Sequence, residues 1–136
     1  MDDKIRLDVV TPYGLVLSED VDELTASGSE GEFGVLPGHV PFITTLKTGV
    51  LVSKKEGRMQ YVFVSSGYAE VSFNKVVVLA DSAERADDID VERALAAKRR
   101  AEERLKQAEK IDFARTTAAI ERATIRIQVA EKRSAK

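Results

Sequence analysis

Cysteine is absent from this chain, and histidine occurs once, as His39. Without thiols there is no disulfide framework, no thiolate nucleophile and no cysteine-based zinc site. One imidazole also falls short of the ligand sets that transition metals take. No apolar run reaches the roughly 18 residues of a membrane-spanning helix. The opening MDDKIRLDVV is acidic and alternating, unlike a signal or transit peptide. Redox chemistry therefore reports no compartment, and a cytoplasmic face is the default reading.

Other scarcities are positional. Every glycine lies at or before Gly67, every proline at or before Pro41, and Phe113 is the only aromatic residue beyond Phe73. Residues 1–83 carry seven Lys/Arg against twelve Asp/Glu, a net of −5; residues 84–136 carry fourteen against eleven, a net of +3. Two structural regimes therefore meet near Ala83. The expected division is residues 1–84 as a β-domain and residues 85–136 as a helical domain.

In the first regime Ile5, Leu7 and Val9 alternate with polar or charged residues, the pattern of a half-buried strand. Thr11-Pro12-Tyr13-Gly14 is a turn, followed by short strands at Leu15–Leu17 and Val21–Thr25. From Ser29 to Gly49 the chain concentrates four glycines, two prolines and His39 among apolar anchors, which predicts a shaped loop. Val50–Ser53 and Met59–Val64 flank Lys54-Lys55-Glu56-Gly57 as a hairpin. Ser66-Gly67 and Asn74-Lys75 punctuate two further strands, Tyr68–Ser72 and Val76–Ala80, the last apolar on both faces and placed in the interior. The fold class is α+β in two parts, an N-terminal antiparallel β-sandwich followed by a C-terminal α-helical hairpin.

The second regime is Gly- and Pro-free and rich in Ala, Glu, Lys, Arg and Leu, a helical composition. Asp87, Asp88 and Asp90 suit a helix N-terminus. Asp112 is placed to cap a second helix after a break near Lys110-Ile111, with one continuous helix from Val91 to Ala130 as the alternative. The apolar stripes are thin: Ala94, Ala97, Ala101, Leu105 and Ala108 on the first helix, Phe113, Ile120, Ala123, Ile127 and Ala130 on the second. Alanine burial contributes little, so the hairpin is expected to be weakly held.

An antiparallel hairpin places Arg100 level with Arg122, and Arg93 close to Arg126. Four guanidinium groups so gathered call for an anion or an acidic surface. The competing reading, favoured by spacing alone, is a solvated face paired with Glu92, Glu102 and Glu121.

No catalytic machinery accompanies these residues. The GxxxxGK[ST] phosphate loop is missing, because Gly28, Gly31 and Gly34 lack its spacing and lysine. Glu30 and Glu32 alternate in a polar loop as solvated acids do. His39 reads as hydrogen-bonded within its own Pro-Gly turn, and Ser65-Ser66 has no base readable beside it.

Several blocks, in order, resemble one family. GSEGEFGVLPGHVPFITTLKTG is similar to the signature of the epsilon subunit of F-type ATP synthases, as are LDVVTPYG, VSSGYAEV, VVVLADSAERADDIDVERA and the alanine-rich basic tail. The resemblance implies about ten strands in two sheets and no enzymatic activity in this chain. It implies partners in the gamma subunit, the c-subunit rotor ring and the alpha and beta catalytic subunits, on the cytoplasmic face of a bacterial inner membrane, with no nucleic acid and membrane contact only through the complex. The loop bearing Glu32 and His39 is the candidate ring or stalk contact. Lys98, Arg99, Arg100, Arg104 and Lys106 are candidates to meet the catalytic subunits and block ATP hydrolysis.

Some bacterial members bind regulatory ATP through Ile/Leu-Asp followed two residues later by Arg-Ala, here Ile89-Asp90-Val91-Glu92-Arg93-Ala94. By the same likeness Glu84, Ile89 and Asp90 face the adenine end, and Arg93, Arg100, Arg122 and Arg126 take the phosphates. A small length change between the helices leaves Arg99 as an alternative to Arg100. No cofactor is required, and ATP is a regulatory ligand. Two other classes stand against this reading. One is a nucleic-acid-binding arm, weakly supported by +3 over the tail with only Phe113 to stack. The other is a free-standing nucleotide sensor.

Overall fold

The computed structural model describes residues 3–107 and 113–133. Within them the chain forms eight strands, a 3₁₀ turn and two helices: β1 (Ile5–Thr11), β2 (Gly14–Val21), β3 (Glu23–Gly28), β4 (Gly31–Val35), β5 (Phe42–Leu46), β6 (Gly49–Lys55), β7 (Arg58–Ser72), β8 (Lys75–Arg85), the turn Ala86–Asp88, α1 (Val91–Lys106) and α2 (Phe113–Ala130). The strands make a β-sandwich whose sheet runs β2-β1-β8-β7-β5-β3-β4, with β6 bridging β3 and β7. Lys4 and the backbone N–H of Glu56 (3.0 Å) both reach Asp22, so the β2–β3 corner is tied to β1 and to the β6–β7 turn. The Lys4 ammonium holds the Asp22 carboxyl below the usual carboxylate range.

The strand count is eight rather than about ten, for a local reason. Met59–Val64 and Tyr68–Ser72 are one strand, β7, because Ser66 and Gly67 take positive φ (47° and 151°) and bend the strand without ending its pairing to β8. Its first half pairs with β6 and its second with β5. The predicted Val21–Thr25 strand straddles a break, since β2 ends at Val21 and β3 begins at Glu23. The Gly/Pro loop contains β4 and β5, leaving residues 36–41 between them and the short turns at 29–30 and 47–48 irregular. One pair departs from the antiparallel pattern: β1 lies parallel to β8, with Val9 opposite Val78. Val76, Val78 and Ala80 enter the core while Val77 is half-buried and Leu79 faces outward, so Val76–Ala80 is not interior on both faces.

The β6–β7 hairpin closes through Glu56 and Gly57, at φ 52° and 81°, the double-positive conformation of a type I′ turn. In the helical part Asp90 caps α1, accepting a hydrogen bond from the Arg93 backbone N–H at 3.0 Å. The two helices pack on each other, which removes the continuous-helix alternative. The proposed Asp112 cap, the Lys110-Ile111 break and Ala108 lie outside the described residues.

Two separate apolar clusters result. The sandwich core contains eighteen buried residues, from Ile5 to Ala83. The seam under the helices has five: Phe63, Ala86, Ile89, Val129 and Ala130, with Val50, Tyr61, Val91 and Ile125 partly buried around them. α2 makes the contact with β6 and β7, and α1 lies against α2. Of the predicted stripe on α2, Ala123 and Ala130 are buried, but Phe113 is 66% exposed, and the seam uses Ile125 and Val129 instead. On α1 only alanines, Ala94 and Ala101, are fully buried. Apolar burial stabilises in proportion to area, so the arm is held by far less than the body.

Candidate functional site

A cleft of about 710 Å³ opens where the β1–β2 turn, the end of β8, the start of α1 and the second half of α2 converge. Such a volume is typical of sites for small organic ligands. Of the eight residues the sequence places at a nucleotide site, Glu84, Ile89, Asp90, Arg93, Ala94, Arg100 and Arg126 line it. Arg122 does not, and neither does Arg99. The hairpin thus gathers three of the four arginines, with Arg100 rather than its neighbour turned to the cleft.

Helical spacing explains the grouping on α1. Arg93, Ala97 and Arg100 recur at four and three residues and share one side of the helix. Arg126 approaches from α2, which brings the start of α1 level with the end of α2 and makes the hairpin antiparallel. Among the described residues neither Arg93 nor Arg100 has an ion-pair partner, and Glu92, Glu102 and Glu121 do not neutralise them.

Arg126 is differently placed. Its Nε donates to Glu84 Oε1 at 2.6 Å, its Nη2 lies 3.5 Å from Ser82 Oγ, and its guanidinium sits 4.4 Å above the Phe63 ring. One side chain of the arm therefore engages a carboxylate, a hydroxyl and an aromatic face of the sandwich. Asp90 gives one oxygen to the α1 cap while lining the cleft.

Sequence reasoning missed the far wall. Tyr13 (94% exposed) and Leu15 line it from the β1–β2 hairpin, with Val16 at its edge packed on the sandwich core. An aromatic at the tip of a Pro-Tyr turn was the available signal, because a turn is where an exposed ring costs least to hold. Thr11 Oγ1 fixes that tip by accepting from the Tyr13 N–H at 3.1 Å.

The remaining candidates lie elsewhere. Glu32 is exposed on β4, at the end of the sheet order. His39 follows a type II turn, with Pro37 and Gly38 (φ 82°) at its centre and the His39 N–H donating to Leu36 O at 3.2 Å. Its ring Nδ1–H donates to Val40 O at 2.7 Å, and the ring tilts against Phe42 at 5.1 Å, so His39 serves its own turn. Lys98 is half-buried; Arg99, Arg104 and Lys106 are exposed along α1, Lys106 beside Glu103 at 3.6 Å. Among the described residues no group of three or more His, Cys, Asp or Glu is arranged to hold a metal, and no helix is long and apolar enough to cross a membrane.

The sandwich also has an apolar outer face. Tyr68 and Leu79 are direct cross-strand neighbours on β7 and β8, 45% and 37% exposed, with Ile43 on the adjoining β5 at 67%. Thr45 and Glu70 stand between them on the same face.

Comparison with known proteins agrees with this architecture. A family model described as the ATP synthase delta/epsilon chain β-sandwich domain matches residues 4–86, and the corresponding long α-helix domain matches residues 87–131. The ATP synthase epsilon chain of Geotalea uraniireducens is 58% identical over 107 residues, covering 79% of this chain and 78% of that one. That of Nitratidesulfovibrio vulgaris is 59% identical over 107 residues, covering 79% and 80%. A chain in the cryo-EM structure of the Euglena gracilis mitochondrial ATP synthase with its c-ring superposes with a TM-score of 0.67 at 27% identity, over 94% of this chain and 78% of that chain.

Proposed function

The chain belongs to the ATP synthase delta/epsilon family, and from that premise we propose that its helical arm is a nucleotide-responsive brake on ATP hydrolysis. Its general role follows from the family: it is a non-catalytic epsilon-type subunit of the central stalk of a rotary ATP synthase. The finer assignments are ours. The outer face of Ile43, Tyr68 and Leu79 takes the gamma subunit. The loop carrying Glu32 and His39 meets the c-subunit ring, so the chain sits peripherally on the cytoplasmic face of a bacterial inner membrane. When the arm extends, Lys98, Arg99, Arg104 and Lys106 engage the alpha and beta subunits.

The observation that carries the nucleotide reading is that two of the cleft's three arginines stand outside any ion pair among the described residues, although its lining balances three arginines with Glu84, Asp88 and Asp90. Arg93 and Arg100 line a volume suited to ATP without an ion-pair partner among the described residues, and Ile89, Leu15 and Tyr13 give the same cleft apolar surface. Triphosphate beside the guanidinium groups and adenine against the apolar wall is the complementary placement. The cleft exists only while the arm is folded, so ATP shifts the equilibrium toward the folded arm by its preference for that state. Arg122 does not line the cleft and takes no part in it.

Titration of ATP, with and without magnesium, into the isolated protein tests the site. Saturable binding is expected, and Arg93→Ala is expected to weaken it about tenfold or more, the scale of one lost charge-assisted contact. No heat and no chemical-shift change with the unmutated protein would remove the nucleotide site.

The brake has its own test. Truncation after Asp88 removes both helices and leaves the eighteen-residue core intact. ATP hydrolysis by the reassembled complex is then expected to rise severalfold, and unchanged hydrolysis contradicts the inhibitory role.

A further inference from the structure

A second cationic concavity lies on the other side of the arm's attachment, away from Arg93 and Arg100. Its volume is about 140 Å³, and Arg58, Arg85, Lys132 and Arg133 line it together with Gln60 and a single acid, Asp87. Four cations against one carboxylate leave a net of three positive charges. None of the four has an ion-pair partner among the described residues.

These side chains come from three separate places, each held by backbone structure. Arg58 opens β7 directly after the type I′ turn, and Arg85 ends β8 opposite Val62 in the same sheet. Lys132 and Arg133 lie in the turn that closes α2, where their N–H groups donate to Val129 O at 2.9 Å and Ala130 O at 3.1 Å. Val129 and Ala130 are buried in the seam with Phe63, so the seam itself presses the two arm cations against the two sandwich cations. Like charges brought together this way oppose docking of the arm, by Coulomb repulsion that solvent reduces but does not abolish.

We propose that this concavity is a binding site for a small phosphoryl anion, inorganic phosphate or pyrophosphate, that fastens the arm in its folded position. Three guanidinium groups offer the forked donors that match phosphoryl oxygens, with Lys132 as a further point charge. The volume admits an anion of that size and excludes a nucleoside. Because two cations belong to the arm and two to the sandwich, the complete site exists only in the docked form. The ligand therefore stabilises that form by mass action, independently of the ATP cleft.

The test is a titration of pyrophosphate, and separately phosphate, into the isolated protein, with ionic strength held constant by sodium chloride and backbone amides followed by NMR. Saturating shifts are expected at Arg58–Gln60, Arg85–Asp87 and Lys132–Arg133, together with slower hydrogen exchange in α2. The double variant R85Q/R133Q is expected to weaken binding tenfold or more, and Arg58→Gln separately to weaken it, with each variant's thermal melt checking that the sandwich persists. In Arg93→Gln the saturating shifts at Arg58–Gln60, Arg85–Asp87 and Lys132–Arg133 are expected to persist, whatever pyrophosphate does at the ATP cleft, which separates the two sites. Three results would overturn the proposal: shifts no larger than chloride gives, shifts confined to the neighbourhood of Arg93 and Arg100, or undiminished binding by R85Q/R133Q and Arg58→Gln.

Discussion

Arg126→Ala is expected to free α2 from the sandwich while leaving the sandwich folded. The substitution removes the 2.6 Å ion pair to Glu84, the contact with Ser82 and the cation–π contact with Phe63. The paired side chains are 27% and 35% exposed, so the ion pair is partly screened and counts near the upper end of the surface range, about 1 kcal/mol. Guanidinium over an aromatic face contributes roughly another 1 kcal/mol. Together about 2 kcal/mol shifts the docking equilibrium roughly thirtyfold toward the free arm.

The consequence is double, because Arg126 also lines the cleft proposed for nucleotide. Arm docking and ATP affinity should fall together in this variant, whereas Arg93→Ala should lower ATP affinity with less effect on docking. Amide exchange in α2 reads the first quantity and calorimetry the second. A cycle combining Arg126→Ala with Glu84→Gln should show coupling of about 1 kcal/mol. Strictly additive effects would mean that the pair does not act as a latch.

Gly67→Ala is expected to be the most damaging single substitution in the body. A Cβ at residue 67 would lie 2.0 Å from Leu79 O and 2.8 Å from Ala80 Cα, and both obstacles are backbone. The residue also holds φ at 151°, which L side chains rarely adopt. Strain of this kind and forced overpacking each cost about 1–3 kcal/mol, so a loss of roughly 3–5 kcal/mol is expected. The measurement is a melting curve, in which the midpoint should fall by roughly 15 °C or more. A shift of only a few degrees would show that β7 and β8 separate easily at this bend.

The importance of Gly67 was half visible in the sequence. Ser-Gly between two apolar runs announced an interruption, but composition does not distinguish a turn that ends a strand from a bend within one. That distinction depends on β8, which pairs on both sides of the bend. The parallel pairing of β1 with β8 was hidden for a related reason. Period-two alternation identifies a strand and its buried face but not the neighbour it finds across the rest of the chain. The Asp90 cap, by contrast, was legible because its partner, the Arg93 N–H, is three residues away.

The seam divides in the same way. Tyr61-Val62-Phe63-Val64 has no alternation, which signals a strand covered on both faces, and here α2 supplies the second cover. Val76–Ala80 gives the same signal, yet Leu79 faces outward where a partner protein is assigned. A continuous apolar run thus reports that something covers the strand, without saying whether it is the chain itself or another molecule. The gathering of Glu84, Asp90, Arg93, Arg100 and Arg126 in one cleft was legible in the sequence, but its further wall, around Tyr13, required the β1–β2 turn to be placed in space.

The central claim is that a stable sandwich carries an arm attached by a small seam and one arginine latch. Native-state hydrogen exchange of the isolated protein, without nucleotide or phosphate, measures this directly, because local opening and global unfolding appear as separate protection levels. Amides in the middle of α2 should exchange at least about a hundredfold faster than those in the paired centre of β7 and β8. Equal protection in the two regions would mean that arm and body open only as one unit, and the arm could not then act as a switch.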